Sequence, residues 1–167
     1  NDGVNQSNTW FLEKQLAWKG LLIEPVDKVF EELKKNRSSK NFFINKALKS
    51  FSYKQKYAYL KLDENDSLST RSTEDNVKTR IKIKVKVQNL NSILNKINAP
   101  KIIDFFSLDV EGDELEVLRG INFKKYKFKY ILIETYHLNK IKIFFNKHGY
   151  KYVKKMSSRN DHLFKIY

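Results

Sequence analysis

The chain has 167 residues, a length that suits one domain and suffices to bury a core. With 41% hydrophobic and 14% aromatic residues it reads as folded, and the absence of cysteine excludes a disulfide framework and any Cys-based zinc site while remaining compatible with a reducing cytoplasm. The net charge of +14 is spread along the chain, not gathered in an arginine-rich block, so a lysine-covered solvent face is expected before a nucleic-acid groove.

No apolar run is long enough to span a bilayer, and no basic start followed by an apolar stretch is visible. The start at Asn1 reads as lying partway into a longer chain. Ser7-Asn8-Thr9 is a helix-start signal, and the helix carrying Trp10, Phe11, Leu12 and Leu16 is expected to stop at Gly20. Leu21-Leu22-Ile23 reads as a buried strand ending at Glu24-Pro25. A second helix has Val26, Phe30 and Leu33 on one face and Glu31, Lys34 and Lys35 on the other. Asn41 to Leu48 and Tyr57 to Leu62 read as strands, and Asp63 to Lys78 as a polar loop.

From Thr79 to Val87, Ile81, Ile83, Val85 and Val87 alternate with Arg80, Lys82, Lys84 and Lys86, the pattern of a half-buried strand. Its lysine face is either a rail for an acidic substrate or the guard of an outer strand against edge pairing, and the second is preferred. Asn89 to Lys96 is a short helix with Leu90, Ile93, Leu94 and Ile97 inward. Ile102 to Leu108 is a buried-strand pattern ending at Asp109, and Gly112 to Leu118 is helical, stopping at Gly120. Tyr130 to Ile133 is a strand ending at Glu134, and Leu138 to Lys147 a helix closed by His148-Gly149. Tyr150 to Lys155 and His162 to Tyr167 form a hairpin. Strands alternating with helices imply a single α/β domain with a largely parallel sheet and an antiparallel terminal edge.

In such sheets ligands bind beyond the carboxyl ends of the strands. Glu24, Asp109 and Glu134 each follow an apolar run, with Glu111 and His137 close behind. A carboxylate there can accept both hydrogen bonds of a ribose diol. Glu111 and Asp113 read more simply as charges at a helix N-terminus. Tyr53, Tyr57 and Tyr59 are expected to pack, with lining an acceptor pocket as the alternative. His148 is read as a helix-end residue and His162 as surface or core.

Asp2-Gly3, Ser7-Asn8-Thr9 and the run Trp18-Lys19-Gly20-Leu21-Leu22-Ile23-Glu24-Pro25 resemble the opening of FkbM-like methyltransferases. So does Ile103-Asp104-Phe105-Phe106-Ser107-Leu108-Asp109-Val110-Glu111-Gly112, followed by Glu114, Val117, Leu118 and Gly120. Ile131-Leu132-Ile133-Glu134 and Gly149-Tyr150 fit the same pattern, so the resemblance covers nearly the whole chain. It implies a Rossmann-like fold, S-adenosylmethionine as donor, and a hydroxyl acceptor on a sugar, glycan or secondary metabolite. It places Asp2 and Gly3 in the cofactor loop, Ser7 and Asn8 near the methionine part, and Glu24, followed by Pro25, on the ribose. Ala47, after the third strand, would lie near the adenine, Ser107 would be among the cofactor-binding residues, and Asp109 would face the methyl group and the acceptor. By the same pattern the first strand and leading glycine of the cofactor motif fall before Asn1.

A hydroxyl acceptor must lose its proton, and Asp109, Glu134 and His137 are the candidate bases. An imidazole has the ordinary pKa closest to neutrality. Asp109, Glu111, Glu134 and His137 together offer ligands to a divalent cation, a reading ranked below direct base catalysis. The alternatives are a nucleic-acid-directed methyltransferase, a non-catalytic nucleotide-binding domain, and an NAD-dependent enzyme, for which no complete Gly-x-Gly-x-x-Gly is present.

Overall fold

The computed structural model describes residues 2–63, 66–70 and 80–167. The chain packs as two compact units, residues 1–48 with 53–88 and residues 49–52 with 89–167.

In the first unit, helix α1 (Trp10–Leu16) is capped from outside: Ser7 Oγ accepts the N–H groups of Thr9 at 3.4 Å and Trp10 at 3.2 Å. It stops at Ala17 (φ 53°), earlier than the expected Gly20, with Trp18 N–H returning to Leu12 O at 3.2 Å. Gly20 serves instead to align two strands. Its N–H donates to Asn41 Oδ1 at 2.8 Å and its carbonyl accepts from Phe42 at 2.9 Å. Strand β1 (Leu21–Ile23) ends at Glu24-Pro25, and α2 (Asp27–Asn36) follows, burying Val29 and Leu33.

The strand expected over Asn41 to Leu48 is two strands. β2 (Phe42–Ile44) runs parallel to β1, and β3 (Ala47–Leu48) pairs in another sheet with β6. The ladder changes partner at Asn45-Lys46, a switch that a continuous apolar pattern does not register. β4 (Tyr57–Asp63), β5 (Asp66–Thr70) and β6 (Arg80–Gln88) complete a sheet of order β3-β6-β4-β5. The expected loop from Asp63 to Lys78 is therefore strand over Asp66–Thr70, where the polar sequence pairs through its backbone; residues 71–79 lie outside the described residues. β6 pairs with β4 over Arg80–Lys86 and on its other side with β3 only at Val87 and Gln88. Ala47, Ala58 and Val85 are buried together, with Tyr53, Leu60, Ile83 and Val87 packed on them.

The second unit opens with α3 (Leu90–Lys96), whose N-cap Asn89 accepts from Ser92 N–H at 2.8 Å. β7 (Ile102–Leu108), α4 (Glu114–Leu118), β8 (Lys127–Glu134), α5 (Leu138–Lys147), β9 (Tyr150–Lys155) and β10 (Asp161–Ile166) follow. The sheet order is β7-β8-β10-β9, with β7 and β8 parallel and β10 antiparallel to both β8 and β9. The terminal hairpin is as expected. The expected mostly parallel sheet is not: among the described residues three small sheets combine parallel pairs (β1/β2, β3/β6, β7/β8) with antiparallel ones. The return strand β10 inserts between β8 and β9, which forces antiparallel pairing onto β8. β7 ends its sheet and is only half-buried, with Ile102 60% exposed. The core is aromatic. Phe145 meets Phe164 at 4.6 Å and Tyr150 at 5.5 Å between ring centres, and Tyr150 Oη accepts Phe128 N–H at 2.8 Å.

Candidate functional site

The residues expected to serve a donor lie in the first unit, apart from Ser107 and Asp109. Asp2 is buried and folds its own loop: Oδ1 accepts the N–H groups of Val4 and Asn5 at 3.0 and 2.9 Å, and Oδ2 accepts Asn5 Nδ2 at 2.6 Å. These bonds hold its carboxyl below the usual range although burial works the other way. Gly3 sits at φ 84°, where a Cβ would come within 2.5 Å of Leu33 Cδ1 and 2.9 Å of Arg37 Cγ. Arg37 is the clamp of this loop. It donates to Gly3 O at 3.2 Å, Ser7 Oγ at 3.3 Å and Thr9 Oγ1 at 3.2 Å, while its Nε meets Glu13 Oε2 at 2.7 Å.

Asn8 is exposed, and Ser7 faces the clamp. Glu24 is buried at the carboxyl end of β1; its N–H donates to Ile44 O at 3.1 Å and its Oε1 accepts Val26 N–H at 3.0 Å across half-buried Pro25. Ala47 lies within β3 and not after a strand, its methyl buried in the sheet core.

The second unit gathers acids. Ser107 is half-buried in β7, opposite Leu132 of β8. Beyond β7 the chain turns sharply through Glu111 (φ 52°) and Gly112 (φ 108°), so α4 starts at Glu114 and not at the expected Gly112. That turn brings Asp109, Glu111, Gly112 and Glu114 alongside Glu134, Thr135 and Tyr136 at the end of β8. Together they line a shallow crevice whose void, counting its open part, is about 180 Å³.

Burial first, then the charges of Asp109, Asp161 and Glu111, push the Glu134 carboxyl up to about 7, against Arg159. Asp109, more open to solvent, is raised as well by partial desolvation and by Asp161, while the Glu111 N–H bonded to it works the other way. Glu114, 4% exposed, is raised by its burial despite accepting Gly112 N–H at 2.7 Å. Its other oxygen meets Thr135 Oγ1 at 3.5 Å, and that oxygen accepts His137 N–H at 3.1 Å. His137 is exposed at the start of α5. Asp113 pairs with Lys49.

Asp161 and Thr135 were not legible as site residues. The one signal for Glu114 was its place among the residues resembling the family. His162 is buried in the core, and its imidazole is lowered by that burial and then by Lys155 and Lys142. His148 stacks on Phe123 at 4.7 Å. Tyr53 packs as expected, whereas Tyr57 and Tyr59 are exposed.

Among the described residues no three His, Asp or Glu side chains gather as a metal site, and no helix is long and apolar enough to cross a membrane. What the second unit offers is a carboxyl pushed up to about 7 by burial and neighbouring acids, at the tip of a strand beside a crevice. No curated protein and no solved structure matches the chain. The family of the methyltransferase FkbM domain does, over residues 1–152, a span that holds both the Glu24-Pro25 strand end and the Asp109–Glu134 acids. With that match running through nearly all of its length, the chain belongs to the FkbM family and is a methyltransferase.

Proposed function

We propose that the chain is an S-adenosylmethionine-dependent O-methyltransferase, acting on a hydroxyl of a sugar, glycan or secondary metabolite in the cytoplasm, with Glu134 taking the hydroxyl proton. The observation that carries this reading is the family match over residues 1–152 together with the crevice that brings Glu134 beside Asp109, where burial and neighbouring acids push the Glu134 carboxyl up to about 7. A base of that pKa is half ionised at neutral pH and matched to proton transfer there. The parallel pairs β1/β2 and β7/β8, each followed by an acid at its carboxyl end, support a Rossmann-like methyltransferase domain that takes in both units.

The donor set fits the cofactor in chemistry. Glu24 is a buried carboxyl group at a strand end, a position from which it can hydrogen-bond a ribose hydroxyl. Asp2 shapes the loop that presents Gly3, Arg37 fixes it, and Ser7 and Asn8 lead into α1. Pro25 follows β1, and Ser107 is counted among the cofactor-binding residues, whereas Ala47, buried in the core of its sheet, is not assigned to the cofactor. S-adenosylmethionine, when bound, supplies an electrophilic sulfonium methyl. Asp109 orients the acceptor hydroxyl, and Glu134 receives its proton as the oxygen is alkylated. The Glu114–Thr135 link holds the Glu134-Thr135 end of β8 against the Gly112 turn.

Calorimetry with S-adenosylmethionine and labelled-methyl transfer to a panel of hydroxylated sugars tests this. Donor binding, with transfer lost in Glu134→Gln at unchanged donor affinity, is the expected result. Transfer retained in that variant assigns the base elsewhere, and absence of donor binding removes the donor reading.

A further inference from the structure

The sheet built on β4 and β6 has an open face unlike any other surface described above. Tyr57, Tyr59 and Lys61 of β4 and Lys82, Lys84 and Lys86 of β6 are all exposed, while Ala58 and Val85 are buried on the other side. Register sets Tyr57 opposite Lys86, Tyr59 opposite Lys84 and Lys61 opposite Lys82. The ammonium groups lie diagonally over the rings, Lys84 Nζ at 4.2 Å from the centre of Tyr57 and Lys82 Nζ at 4.4 Å from that of Tyr59. No acid is among the six.

Guarding an edge accounts for lysines on β6, which β3 covers only at Val87 and Gln88. It does not account for β4. That strand pairs with β6 along its whole length, yet it presents two tyrosines that are 42% and 58% exposed together with a further lysine. A face that only needed solubility has no use for two large rings in the open. Same-face neighbours along a strand stand about 6.5 Å apart. The face is therefore a regular array of cations with flat rings set between them. Its complement is a linear polyanion that carries flat rings of its own.

We infer that this face docks single-stranded nucleic acid, phosphates on Lys61, Lys82, Lys84 and Lys86 and bases stacked on Tyr57 and Tyr59. Each lysine that swings from a ring to a phosphate uncovers that ring for a base, so charge pairing and stacking form together. The docking is independent of methyl transfer and is read by binding alone.

The test is fluorescence anisotropy of the full chain with labelled 12-nucleotide oligouridylate and oligothymidylate, competed by polyphosphate and by an acidic polysaccharide. Both oligonucleotides are expected to bind more tightly than either competitor at equal charge. Tyr59→Leu should weaken oligonucleotide binding about fivefold or more, and Tyr59→Phe should restore it. Lys84→Glu should reduce the slope of log affinity against log salt by about 0.7, whereas Lys165→Glu, an exposed lysine of the second unit with the same charge change, should not. Circular dichroism checks that each variant is folded. Equal or tighter binding of polyphosphate or polysaccharide, an unchanged affinity in Tyr59→Leu, or an equal effect of Lys165→Glu would overturn the proposal.

Discussion

Asp161 stands directly across the antiparallel ladder from Glu134, so two carboxylates share one rung where β10 meets β8. Like charges placed opposite each other in a ladder oppose ionisation. The shift at Glu134 begins with burial, and Asp109, Asp161 and Glu111 add to it.

The share of stability that Glu134 contributes should fall as pH rises, while the lowered imidazoles of His148 and His162 act in the opposite sense. Folded, Glu134 keeps its proton up to about 7; its ordinary value is 4.5. The folded state therefore binds more protons between those values, and unfolding becomes easier with rising pH in that window. The contribution is whole below pH 4.5 and is lost as pH passes through about 7. Asp161→Asn keeps the side chain's shape and removes one charge. Thermal melts from pH 4 to 8 should show a smaller decline in that variant than in the parent.

Methyl transfer should rise with pH through the same region, because a base works only after losing its proton. Asp161→Asn should move the ascending limb of the pH–rate profile to lower pH, and Glu134→Gln should abolish it. A limb that stays in place in Asp161→Asn would show that another group sets the profile.

The donor and acceptor roles separate by kinetics. Glu24→Ala should raise the donor Kd strongly, measured by calorimetry, whereas Asp109→Ala should lower kcat with little change in donor Kd. An unchanged donor Kd in Glu24→Ala would move the ribose to another residue.

Strand ends were the legible part of this site. The run Leu21-Leu22-Ile23 before Glu24, and the runs before Asp109 and Glu134, placed each acid at the tip of a strand by hydrophobicity alone. The same holds for α5 and the terminal hairpin, whose apolar periods are strong. Pairing partners were not legible. Asp161 became a neighbour of Glu134 through the register of β10 on β8, which local periodicity does not encode. β2 and β3 looked like one strand because their break is a change of partner, and β5 escaped notice because Asp66 to Thr70 alternates no apolar residues. The stop of α1 at Ala17 rests on a left-handed residue that is not glycine, the reverse of the usual signal.

Arg37 and Glu13 form a buried pair, with side chains 3% and 6% exposed. Glu13 also accepts Ser38 N–H at 2.8 Å and Asn41 Nδ2 at 2.7 Å. Removing one partner leaves a charge without its counter-ion in a dry place, so Arg37→Met or Glu13→Leu alone should cost about 3–5 kcal/mol in urea denaturation. The double variant should cost less than the sum of the two.

Gly120 has no room for a methyl group. A Cβ there would lie 2.4 Å from the carbonyl oxygen of Lys49, which is backbone and cannot swing aside. Gly120→Ala should destabilise by about 1–3 kcal/mol in urea denaturation. Alanine at Gly20, where a Cβ meets nothing within 4 Å, should leave stability nearly unchanged.

The carbonyl that crowds Gly120 belongs to a four-residue stitch. Residues 49–52 are part of the second unit although the chain on both sides of them belongs to the first. Lys49 pairs with Asp113, Ser50 Oγ donates to Glu116 Oε2 at 2.8 Å, and Phe51 N–H donates to Arg119 O at 3.4 Å. A cut after Gln88 thus severs the second unit from a piece of itself, and residues 89–167 expressed alone lack the strap that lies along α4. On the ribosome that strap emerges well before the helix it fastens, and it has to wait for α4 to be synthesised before it can close.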